Sequence, residues 1–225
     1  MPRSSRSGYG RRVTKNRLEA FSDGVFAIAI TLLVIEIRPP ELHEGERLSH
    51  ALWEQWPSYV GYLVSFLTIG VIWLNHHRVF EQVVRVDGPL LVLNLNLLLW
   101  TGLIPFPTVV VAEHLAGGGE AARTASALYA AVLLLMGISF AGVFAWITHD
   151  DRLLHRLPPP EVVRATRLRF MAGLAVYVAA FALSWVSAPL SVALCGIMAL
   201  YYAFDQASVF DEQEPGGQRP TGRPA

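Results

Sequence analysis

Residues 17–37 read R-L-E-A-F-S-D-G-V-F-A-I-A-I-T-L-L-V-I-E-I, and this stretch decides the class of the protein. A membrane span needs about 20 mostly apolar residues to cover roughly 30 Å of hydrocarbon, and this run meets that length. It carries Arg17, Glu19, Asp23 and Glu36 inside or at its edges. A charge within the bilayer costs a few kcal/mol on insertion scales, so such groups face protein or water rather than lipid. Arg17 and Glu36 lie near the two ends, where snorkelling accounts for them. Asp23 is deeper, and the sequence leaves two roles open for it: a paired carboxylate that fixes helix packing, or a direct part in moving an ion or proton. Basic residues precede the run as they precede a signal peptide. The run is too long for an ordinary signal core, however, and no small-x-small cleavage site follows Ile35.

The pattern repeats along the chain. Of 225 residues, 53% are hydrophobic and 16% charged, against about 25% charged in an ordinary soluble domain. Further apolar runs cover about 57–74, 89–111, 125–148, 168–186 and 190–204. With the first, about 18–37, they predict an all-α polytopic protein of six transmembrane helices, with no room for a separate soluble domain. Pro39 and Pro40 close the first span. A short interfacial helix is expected near Leu48 to Trp53. Pro105 and Pro107 predict a kink or an end to the regular part of the third span. Residues 1–16 read as a disordered cytoplasmic arm, 17–205 as the transmembrane domain and 206–225 as a disordered cytoplasmic tail.

Orientation follows from Lys and Arg, which gather in cytoplasmic segments. With the amino terminus inside, the outer segments hold only Arg38, Arg47 and Arg123 of the 18 basic residues. Both termini are therefore expected in the cytoplasm, in a cell-membrane protein. No second copy of the first-span motif occurs, so a pore on a symmetry axis would need several subunits. A formal net charge of zero gives no reason to expect a nucleic-acid partner.

Projected at about 100° per residue, Arg17, Phe21, Gly24, Ile28, Leu32 and Ile35 share one stripe of the first helix, with Thr31 on its flank. Asp23 lies roughly 120° away. Periodicity alone leaves open whether the stripe meets another helix, lipid or water.

The second span ends W-L-N-H-H-R-V-F, residues 73–80. Adjacent His76 and His77 point about 100° apart on a helix, and no set of Cys, His, Asp or Glu at chelating spacing joins the two, so no metal site is expected there. A histidine hydrogen-bonded to Asp23 is expected instead. Asn94, Asn96, Ser139, Ser184 and Ser191 are expected to bond between helices. Cys195 reads as a small packing residue, without a disulfide partner. Ser184 and Ser187 have no His/Asp pattern around them, and the sequence holds no P-loop, dinucleotide fingerprint or H-E-x-x-H. No catalytic residue and no cofactor is expected. Arg164, Arg167 and Arg169 stand where they would meet anionic lipid headgroups, though their part in orientation already explains them.

R-x-x-x-F-S-D-G-V-F-A-I-A-I-T-L-L, from Arg17 to Leu33, resembles the signature of the transmembrane protein 175 family of endosomal and lysosomal potassium channels and their bacterial relatives. W-x-N-H-H-R-x-F at the end of the second span is similar to that family's as well. Beyond it the likeness is in span number and layout, and fits the bacterial form with one six-helix repeat per subunit. The resemblance implies a homotetramer whose first helices surround a potassium pore. The family has no T-V-G-Y-G filter, and neither has this chain. Its constriction is a ring of large aliphatic side chains, carried here onto Ile28, with Leu32 and Ile35 further on and Thr31 beside them. Arg17, Phe21, Ser22, Asp23 and Gly24 then serve helix packing and the open pore, with Trp73, Asn75 and His77 as partners. Two other readings stand beside the channel: a proton or proton-coupled cation transporter using Asp23, His76 and His77, and a membrane enzyme or assembly factor without conductance.

Overall fold

The computed structural model describes residues 13–42, 44–149, 153–155 and 158–211, with only the helix path for 205–211. Among them are eight helices: α1 (Lys15–Ile35), α2 (Leu48–Glu54), α3 (Trp56–Glu81), α4 (Gly88–Leu103), α5 (Pro105–His114), α6 (Gly119–Ile147), α7 (Pro160–Ser184) and α8 (Ala188–Asp211). Five stretches are long and apolar enough to cross a membrane: α1, α3, α4 with α5, α6 and α7. The apolar part of α8, Ala188–Phe204, is shorter and supplies the sixth pass, with about 25 Å of rise. In hydrocarbon a helix satisfies every backbone group within itself, which is why these apolar runs become helices and not strands. Extended pairing among the described residues is one bridge between Val83 and Leu154, which ties the loop after α3 to the loop after α6.

Boundaries differ from the sequence reading where polar residues extend a helix beyond the bilayer. The seventh helix begins at Pro160, not near 168, so Arg164 and Arg167 are helical rather than in a loop. Proline is well suited to this first position, because its missing N–H would have had no partner there. The fourth span likewise begins at Gly119. α1 already includes Lys15 and Asn16, and α8 continues past 205 to Asp211. The rest of the expected arm and tail, 1–12 and 212–225, lies outside the described residues. The third span divides at Ile104 into α4 and α5, with Pro105 opening α5.

α6 is the centre of the fold and packs on α4, α5, α7 and α8. α1 lies at one edge, against α3, α4 and α5, and α7 lies against α6 and α8. Asp87 caps α4 by accepting the Leu90 N–H at 2.9 Å, and it also receives the Trp146 indole N–H of α6 at 3.2 Å. Deeper, the Ser65 hydroxyl lies 2.7 Å from Thr108 Oγ1 and 2.9 Å from the Tyr129 hydroxyl, joining α3, α5 and α6. Asn96 donates to Ser139 Oγ at 2.6 Å, and Ser191 donates to the Ala180 carbonyl of α7 at 2.8 Å. Ser184 corrects its expectation. Its hydroxyl bonds the Phe181 carbonyl of its own helix at 2.6 Å.

Gly173 lets α7 and α8 approach closely. A Cβ there would stand 2.6 Å from the Tyr202 hydroxyl oxygen and 3.3 Å from Met198 Cε. Tyr202 donates that hydroxyl to the Arg169 carbonyl at 3.0 Å. Gly173→Ala is therefore expected to displace Tyr202 and destabilise the fold by about 1–3 kcal/mol, as overpacking does. A lowered unfolding midpoint in detergent would register this. In a Tyr202→Phe background, where the clashing oxygen is gone, the penalty should shrink.

Candidate functional site at the first helix

Two faces of α1 have different fates. Leu18, Ser22, Phe26, Ala29 and Leu33 are buried against the rest of the chain. The stripe identified in the sequence turns outward. Phe21 is 55% exposed, Ile28 61%, Leu32 40% and Ile35 68%. Arg17, Gly24 and Thr31 are exposed with them. Around Gly24, a side chain would meet nothing within 4 Å.

The hydroxyl of Thr31 lies 2.9 Å from the Ile28 carbonyl and 3.0 Å from that of Ala27. Its proton is thus committed to the helix, while the oxygen keeps lone pairs directed outward. From Ile28 to Ile35 the stripe rises about 10 Å.

Behind this face lies a buried polar chain. The Ser22 hydroxyl donates to the Leu18 carbonyl at 2.9 Å and accepts from Asn94 Nδ2 at 3.0 Å. Asn94 Oδ1 is 2.8 Å from His76 Nε2. A carbonyl oxygen only accepts, so with this amide orientation Nε2 carries the proton. Ser22 and Asn94 have no solvent exposure and His76 has 1%. The His76 ring stacks on Phe80 at 4.1 Å and meets Phe26 edge-on at 5.3 Å. One chain of three side chains thereby fixes α1 to α4 and α3.

Asp23 takes its hydrogen bond from Trp73, whose indole N–H donates at 2.9 Å, at the surface of the fold. The expected histidine–Asp23 bond is thus corrected: His76 is committed to Asn94. His77 stacks on Trp73 at 6.0 Å, with its Nε2 3.3 Å from Glu81 Oε1. The helix register gives the reason. Lys15 Nζ reaches the Glu81 carbonyl at 3.2 Å. From that point, roughly 12 Å along each antiparallel helix leads to Asp23 on one and Trp73 on the other. Asn75 belongs to another face of α3, where it lines a cavity with Met136, Phe140 and Tyr202.

The histidines of α3 form no chelating set, but a spacing passed over in the sequence does bring ligand-type atoms together. Glu46, His50 and Glu54, at successive i, i+4 positions along α2 and its approach, place theirs within 4.8 Å of one another. His50 Nδ1 lies 3.8 Å from Glu46 and 3.6 Å from Glu54. Both flanking carboxylates would attract a protonated His50, and such exposed pairs contribute little.

The chain is similar to several known proteins. Residues 17–105 match the family described as endosomal/lysosomal potassium channel TMEM175. A protein of Streptomyces collinus described as a potassium channel is 45% identical over 193 residues, covering 86% of this chain and 93% of that one. A Mus musculus protein described as an endosomal/lysosomal proton channel is 30% identical over 211 residues, covering 85% of this chain but 40% of its own length. The crystal structure of a lysosomal potassium-selective channel homolog from Chamaesiphon minutus matches with a TM-score of 0.76 at 40% identity, over 85% of this chain and 97% of that chain.

Proposed function

The chain belongs to the TMEM175 family, and from that premise we propose that it is a potassium-selective channel whose pore lies between subunits and is lined by α1. The observation that carries this reading is the outward stripe of Phe21, Ile28, Leu32 and Ile35, on a helix whose opposite face is fully committed to its own subunit. Four copies around an axis would turn Ile28, Leu32 and Ile35 into successive apolar rings. Such rings gate by dewetting and admit a cation only as it sheds part of its water. Potassium gives up water more readily than sodium, so the apolar neck penalises sodium more. Thr31 oxygens offset part of the dehydration cost. Asp23, Ser22 and Trp73 hold α1 at the angle the neck requires, with Phe21 and Gly24 at the contact between copies. The protein sits in the cell membrane with both termini in the cytoplasm, has no catalytic role and works without a cofactor.

The mouse relative described as a proton channel favours testing a second reading, in which Asp23 carries protons. Asn at position 23 would still accept the Trp73 N–H, so geometry survives while the titratable group is lost. In liposomes with opposed potassium and sodium gradients, purified protein is expected to pass potassium, and Asp23→Asn to retain at least half of that flux. Loss of all flux in Asp23→Asn, with the protein still folded, would replace the channel reading by the proton-carrier one. No potassium flux from the unsubstituted protein would remove the channel reading, and no proton flux either would remove both.

A further inference from the structure

α7 is the most exposed of the long apolar helices, with 17% of its apolar window buried against 44% for α3 and α6. Its first turns form an amphipathic groove with the end of α6. The upper chamber, about 1100 Å³, is bounded by Thr148, Arg164, Arg167 and Leu168. The lower one, about 540 Å³, is bounded by Gly142, Ala145, Trp146, Phe170 and Met171. Arg167 and Met171 line both, so the chambers adjoin. Small residues on α6 make the lower space, and aromatic and thioether groups wall it. Arg167 is oriented by a bond to Thr148 Oγ1 at 3.2 Å. No carboxylate lines either chamber among the described residues, the one in the first turn of α7 being Glu161, outside both.

A basic rim above an apolar trough, at the end of a membrane helix, matches one ligand in both charge and shape. We propose that this groove is a binding site for an anionic phospholipid of the inner leaflet, with its phosphate at Arg164 and Arg167 and one acyl chain along Ala145 and Met171. Planar guanidinium groups suit phosphate oxygens, and basic residues just inside the membrane draw anionic lipid at about 1 kcal/mol each. The assignment of leaflet, and of this edge to lipid, rests on the orientation and axis proposed above; the binding itself does not require conduction.

The test is native mass spectrometry of the full-length protein in detergent, titrated with dioleoylphosphatidylglycerol or dioleoylphosphatidylcholine. Phosphatidylglycerol is expected to bind at least fivefold more tightly, and the Arg164→Gln/Arg167→Gln double variant to lose that preference. Ala145→Trp fills the lower chamber without removing charge and should weaken both lipids, while Arg123→Gln, at the opposite end of the bundle, should change nothing. Equal binding of the two lipids, an undiminished preference in the double variant, or displacement of phosphatidylglycerol by millimolar inorganic phosphate would overturn the proposal. A protein that binds the lipid in this way but passes no potassium would leave the site standing and sink the channel reading alone.

Discussion

Ile28→Asn is expected to lower the potassium-over-sodium permeability ratio by about tenfold, a difference of about 1.4 kcal/mol between the two ions. The reasoning is one of hydration. An aliphatic ring offers a cation no oxygen, so an ion passing it carries the cost of whatever water it has shed, and that cost is larger for sodium. A carboxamide at the same point replaces the lost water for both ions and removes most of the difference. With 61% of Ile28 exposed on the folded chain, the substitution disturbs little of the chain's own packing, so the effect reads on permeation and not on folding. Ile28→Val keeps the ring apolar and is expected to stay selective. Reversal potentials under bi-ionic conditions in planar bilayers measure both, and an unaltered ratio in the Asn variant would take Ile28 out of the filter.

That stripe was legible because a helix with one committed face leaves a 3.6-residue signature. Phe21, Ile28, Leu32 and Ile35 fell together on the projection, and all four are exposed on the folded subunit. Depth relations between helices were harder to read. The sequence put Asn75, His76, His77 and Arg78 at the level of Arg17 and Asp23, and chemistry suggested a histidine. Only the antiparallel register of α1 and α3, set where Lys15 meets Glu81, selects Trp73. Counting along both helices from their neighbouring ends, where Lys15 meets Glu81, would have found it. The start of α7 was missed for a different reason. Hydropathy detects only the part of a helix that sits in lipid, whereas the backbone continues its ladder through Arg164 and Arg167 to the proline that can begin it. Asn94 was recognisable as a polar residue in need of a partner, but one helix viewed alone cannot say that it completes a bridge between Ser22 and His76.

That bridge sets the second large effect. Asn94→Leu would leave the Nε2 proton of His76 without its acceptor and the Ser22 oxygen without its donor, both in a region with almost no solvent contact. Interhelical hydrogen bonds in membranes contribute about 0.6 kcal/mol on average, and up to about 1.7, because the unfolded chain also finds partners. A buried group stripped of its partner costs about 1–3 kcal/mol. Together these give an expected loss of about 2 kcal/mol per chain, measurable as a lowered midpoint in a detergent unfolding titration. His76→Phe keeps the aromatic contacts with Phe26 and Phe80 but strands Asn94 Oδ1, so it should be costly alone. The double variant, with neither polar partner present, should recover at least about 1 kcal/mol of the summed losses. Strict additivity would mean that the two side chains do not stabilise one another. The bridge lies on the buried face of α1, away from Ile28, so the same variants are expected to change how often the channel opens while leaving its permeability ratio as it was. Single-channel recordings separate the two quantities, and a shift in the ratio would place the polar chain in the permeation path instead of behind it.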